Sequence, residues 1–148
     1  MRVRVPFSDV DMHGHVHNGV YFSYVETALN TFLREAGLSG SFDPKRNDVV
    51  YHVRRTEFVY HSPAGFEDLL DVTPHVSRVG TKSLTFAAAV TRADDGRPVA
   101  DAEVVWVCVD RRTGRTAPVP DPTRTALAAA AEGAAPVAEP SSPAPEDG

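Results

Sequence analysis

Along GVYFSYVETALNTFLREAG the apolar residues Val20, Tyr21, Tyr24, Val25, Ala28, Leu29, Phe32, Leu33 and Ala36 recur at steps of three, four and seven. That period lays a broad apolar stripe down one side of a helix of about five turns and predicts that the helix is largely buried. Asn18 is the predicted N-cap and Gly37 the predicted stop past the last turn. Beyond a polar loop the period falls to two. VVYHVRRTEFVYH, DLLDVTPHVSRV, KSLTFAAAVTRA and VADAEVVWVCVD each concentrate apolar residues on one parity, with SPAG, VGTK, DDGR and RRTG as turn signals, the pattern of an antiparallel meander. In the last segment Ala102, Val104, Trp106 and Cys108 alternate with Asp101, Glu103, Val105 and Val107, so its second half is expected to be covered on both faces. Adding one short N-terminal strand, the expected class is α+β: one helix across the face of a sheet of about five strands.

The 148 residues are 42% hydrophobic and 24% charged, which suits one domain with a real core. A net charge of -5 leaves no broad basic field for nucleic acid or an anionic membrane, so neither is expected as a partner. The single Cys108 lies inside VVWVCVD and reads as a small buried hydrophobe, not as part of a disulfide framework. No apolar run of signal-peptide length opens the chain and none approaches about 20 residues, so a soluble, cytoplasmic protein is expected. From Ala117 onward prolines frame an alanine run. Residues 1–125 are therefore expected to form the domain. Residues 126–148 are expected to be a disordered Ala/Pro-rich tail, at most a frayed helix at its start, that adds little stability.

The loop before the helix reads FSDVDMHGHVHN, with Asp9, Asp11, His13, His15 and His17 at every second position. Three histidines with two carboxylates could bind zinc, but Gly14 interrupts any strand and His52, His61 and His75 stand on separate segments. A metal site is the weaker reading. A carboxylate just upstream of a helix shares a small volume with the unpaired N–H groups of the first turn, which carry positive potential and can polarise a carbonyl. The same acids could equally be local caps. Spacing alone leaves both open.

The stretch FSDVDMHGHVHNGVYFSYVETA resembles the signature of the 4-hydroxybenzoyl-CoA thioesterase type of hotdog-fold acyl-CoA thioesterases, D-x-D-x-x-G-H-V-x-N-x-x-Y-F, at Asp9, Asp11, Gly14, His15, Asn18, Tyr21 and Phe22. VYHSPAGFEDLL is similar to the family's Y-x-x-P-A-x-x-x-D-x-L, and the likeness continues through VWVCVDRRTGRTAPVP, covering about residues 1–125. The resemblance implies a hotdog fold, in which a curved antiparallel sheet wraps the long helix, and sites built between two chains of a homodimer or homotetramer. It implies hydrolysis of an acyl-CoA or acyl-carrier-protein thioester without metal or other cofactor. Asp11 matches the catalytic carboxylate, as nucleophile or general base. Asn18 matches the residue whose backbone N–H polarises the thioester carbonyl, and His15 a loop-positioning histidine. His17 departs from the asparagine of many relatives.

Two rival functions are weighed. A hotdog dehydratase or hydratase pairs an Asp with a His commonly five residues later, where this chain has Gly14 and Val16. A non-catalytic acyl-CoA-binding module would have no use for Asp11. Tyr21, Tyr24 and Val25 are the expected helix contribution to the acyl pocket. Arg54, Arg55, Arg78 and Lys82 are candidate contacts for the carrier phosphates.

Overall fold

The structure, a computed structural model, describes residues 1–133. Strand β1 (Arg2–Arg4) is followed by the loop, helix α1 (Val20–Glu35), strands β2 (Val49–Tyr60), β3 (Leu69–Val79), β4 (Ser83–Arg92) and β5 (Pro98–Asp110), and helix α2 (Asp121–Gly133). The five strands form one antiparallel sheet in the order β1-β3-β4-β5-β2. Each of the four long strands begins and ends within one residue of its predicted segment.

Parity decides which side chains meet the helix. In β4 Leu84, Phe86, Ala88 and Val90 are buried and their neighbours only half-buried; Ala102 and Val104 of β5 and Leu70 and Val72 of β3 continue the same inner face. Long strands twist and curl, and bulges at Val53/Arg55 and Val76/Arg78 sharpen the curl. Helix α1 lies in the hollow with Tyr21, Tyr24, Val25, Ala28, Leu29 and Leu33 buried. The predicted stripe is thus the core face, each large side chain contributing about 1.5–3 kcal/mol through burial. On β5, Val105 and Val107 are only half-buried, so the expected cover on the second face does not come from this chain.

The ends of α1 differ in how far they follow expectation. Gly37 takes φ 75°, its N–H donates to Arg34 O at 3.0 Å, and the Leu38 N–H donates to Leu33 O at 2.8 Å. This is the glycine-terminated cap that was predicted. At the other end the N-cap is Gly19, without a side-chain cap bond, and Asn18 lies in the preceding turn. The capping expectation for the Asn18 side chain is therefore corrected.

The chain from 126 also departs from expectation. Helix α2 runs through the predicted boundary at 125, packs on β3, and buries Thr123 and Leu127, with Ala126 and Ala130 partly buried beside them. Positions 123, 126, 127 and 130 form one helical stripe. Alanine is the best helix former and Pro122 sits in the first turn, where its missing N–H is no loss. The rest of the predicted tail, 134–148, lies outside the described residues. Among the described residues no helix is long and apolar enough to cross a membrane.

Candidate active site

The loop from Pro6 to Gly19 is folded on itself, not extended. Val10 bridges Val16, the Asp11 N–H donates to His15 O at 2.8 Å, and the Gly14 N–H donates to Asp11 O at 3.0 Å. Gly14 makes the turn at φ 78°, a conformation that side chains disfavour. The loop is tied to the segment after β2 by the Val16 N–H to Ala64 O bond of 2.8 Å and a bridge between His15 and Gly65. A Cβ on Gly65 would stand 3.1 Å from Gly14 O, so the glycine of SPAG permits this close approach.

The two acids have separate jobs in this frame. Tyr24 donates to Asp9 Oδ2 at 2.6 Å, which ties the loop to α1, and burial followed by this bond pushes the Tyr24 phenol well above its ordinary pKa. Asp11 accepts the His13 N–H at 2.8 Å and the His15 N–H at 3.2 Å, both on Oδ1. The His15 bond, helped by the His13 bond and the nearby histidine charges, holds the Asp11 carboxyl below the usual carboxylate range against an opposing desolvation. Asp11 is thus a cap through one oxygen, and the other oxygen is directed by that cap.

Asp11 lines a cavity of about 300 Å³ with His15, Val16, Asn18 and Tyr21, closed on the far side by Tyr60, His61, Ser62 and Pro63. The Tyr60 hydroxyl donates to Asn18 O at 3.0 Å, and its ring centroid is 5.6 Å from that of Tyr21. Asn18 and Gly19 lead into the first turn of α1, where a helix leaves its N–H groups without internal partners. Carboxylate and helix start therefore share one small volume. His13 and His17 are exposed, and among the described residues no three His, Cys, Asp or Glu side chains are grouped to hold an ion.

Other expected contacts are not gathered here. Tyr24 and Val25 are buried, and Val25 belongs to the core face and not to the cavity wall, because a stripe this broad turns neighbouring positions onto the sheet. Arg54 lies six residues from Tyr60 on β2, about 20 Å along the strand. Arg78 reaches the row of Val105 through Thr85, while Tyr60 pairs with Ala100. That is about 17 Å along the strands and about 14 Å across them. Lys82 stands opposite Cys108, farther still. Arg55 pairs with Glu57 at 3.6 Å and with Glu103. None of these cations reaches the cavity of its own chain. Tyr60, His61, Ser62 and Pro63 were not predicted as site residues; their signal was the SPAG turn, which abuts the loop.

The curved antiparallel sheet around one long helix is the hotdog fold. The chain belongs to the thioesterase-like superfamily, whose family model matches residues 5–127. It is 28% identical over 113 residues to the long-chain acyl-CoA thioesterase FadM of Escherichia coli, covering 76% of this chain and 83% of FadM. It is 30% identical over 108 residues to the acyl-CoA thioester hydrolase YbgC of Escherichia coli, covering 73% and 79% of the two chains. The crystal structure of the PA5185 protein of Pseudomonas aeruginosa superposes with a TM-score of 0.74 at 30% identity, over 86% of this chain and 87% of that one.

Proposed function

We propose that this chain hydrolyses an acyl thioester of coenzyme A, or of an acyl carrier protein, at the cavity of Asp11. The observation that carries the reading is the Asp11 carboxylate, fixed through one oxygen by two backbone N–H groups in the cavity that the start of α1 also borders. The thioester carbonyl oxygen is polarised by the N–H groups of the turn at Asn18 and Gly19. Asp11 attacks the carbonyl carbon, the thiolate leaves, and water hydrolyses the resulting acyl–aspartate anhydride. The lowered Asp11 pKa favours this nucleophilic role over proton abstraction, since a general base works best with a pKa near the working pH. His15 positions Asp11 through its backbone. A coenzyme A substrate and a single buried thiol suit the cytoplasm.

Incubation with a panel of acyl-CoAs and a thiol-detecting dye tests the proposal. Catalytic thiol release supports it; binding without release would make the chain an acyl-CoA-binding module.

The reading includes a second copy. Strand β2, 12 residues long, pairs among the described residues only with β5 and forms one edge of the sheet, with Val53, Val59 and Tyr60 exposed along it. An edge strand of this length presents a row of backbone N–H and C=O groups open to pairing, and a two-fold pairing of β2 with its copy satisfies them. Sedimentation is expected to give at least twice the 16.0 kDa chain mass. A monomer at micromolar concentration contradicts this part.

A further inference from the structure

His61 immediately follows β2 at the wall of the cavity. Its backbone N–H donates to Val99 O at 2.8 Å, fixing it beside the start of β5, and its Nε2 lies 2.7 Å from Asp101 Oδ2. The two side chains are 36% and 39% exposed, and a pair that open adds little to stability. What the contact does fix is the tautomer. A carboxylate has no proton to give, so Nε2 carries the hydrogen and Nδ1 of the neutral ring keeps the lone pair. His61 lines the same cavity as Asp11.

The chemistry of the proposed reaction leaves a place for such a group. Thioester attack by Asp11 needs no base, because the nucleophile is already ionised. Hydrolysis of the anhydride does need one, and Asp11 cannot supply it while its own oxygen is acylated. Of the other titratable groups facing the cavity, the Tyr21 and Tyr60 phenols are held neutral by burial, which raises both pKa values, and His15 has no carboxylate partner orienting its ring among the described contacts. Arg55, Glu57 and Glu103 form their own cluster farther along the strands.

We infer that His61, oriented by Asp101, accepts the proton of the water that hydrolyses the acyl–Asp11 anhydride. The water oxygen bonds to the acyl carbon and its proton passes to His61 Nδ1. The bond from the acyl carbon to Asp11 breaks, returning its electron pair to the carboxylate, and the free acid departs. His61 then releases the proton to solvent. Asp101 is a positioning residue that acts through His61. The inference rests on the thioesterase reading and on Asp11 as nucleophile.

The test is rapid mixing of the full chain with the best acyl-CoA of the panel, following loss of thioester absorbance. His61→Gln is expected to release about one equivalent of thiol per site at the wild-type rate and then turn over about 10²-fold more slowly, the typical contribution of a general base. Asp101→Asn is expected to keep the fast first equivalent with a smaller fall in turnover. His61→Ala, the second variant should Gln perturb folding, is expected to recover turnover when free imidazole is added. Unchanged turnover in the His61 variants, or equal slowing of first equivalent and turnover with no imidazole rescue, overturns the inference. Absence of thiol release by the wild type overturns the thioesterase reading itself, and full turnover by Asp11→Asn overturns Asp11 as the nucleophile and with it this inference.

Discussion

Asp11→Asn is expected to lower kcat by about 10²- to 10⁴-fold with KM little changed. The substitution keeps the shape of the side chain, and the amide oxygen can still accept the His13 and His15 N–H groups that Asp11 Oδ1 accepts. The loop therefore keeps its fold and the cavity its walls. What is lost is the charge, and with it the nucleophile. The acyl chain and carrier are held by other groups, so binding survives and the loss falls on the chemical step. Steady-state kinetics of thiol release measure it. Because Asp11 titrates below the usual carboxylate range, it remains ionised as pH falls to that range and its contribution disappears only below it. Any acidic limb between about pH 5 and 7 then belongs to another group, and histidine is the side chain that ordinarily titrates there. Asp9→Asn is the control. It weakens the acceptor of the 2.6 Å Tyr24 bond, so its main expected effect is on stability, by about 1–2 kcal/mol.

Leu127→Ala is expected to cost about 2–5 kcal/mol, the range for emptying a fully buried leucine site. Leu127 is fully buried beneath α2, where the helix packs on β3. For a domain of this size each kcal/mol moves Tm by about 2–4 °C, so thermal unfolding should fall by roughly 4–20 °C. Ala129→Gly, on the exposed side of α2, is the comparison: it costs about 1 kcal/mol through helix propensity alone. If Leu127→Ala melts with the wild type, α2 is not a part of the core, and the reading of residues 126 onward as a tail is restored.

How much was legible follows from which interactions are local. The α1 stripe, the Gly37 stop and the four long strands came through because period and turn chemistry are properties of neighbouring residues. The closed loop at Asp11 was legible from the glycine that breaks it and from the family motif. Helix α2 was misread because prolines on both sides of the alanine run look like a linker, whereas one leucine at the right phase is enough to dock it. Val25 was assigned to the pocket because the stripe tells that a residue is buried but not against what. Arg54, Arg78 and Lys82 do not reach the cavity, since a charge on a strand carries no information about its distance from a loop 35 or more residues away. The pairing of His61 with Asp101 depends on the register of β2 on β5, which no short stretch encodes.

The central claim is that this chain cleaves the bond between an acyl group and a thiol carrier. The direct measurement is the mass spectrum of the products after incubation with the best acyl-CoA in water labelled with heavy oxygen. The account predicts free acid carrying the label and coenzyme A in equal amounts, over many turnovers per chain. Intact acyl-CoA would mean a binding module, and acyl-CoA altered by the addition or loss of water would mean a hydratase or dehydratase; either result would contradict it.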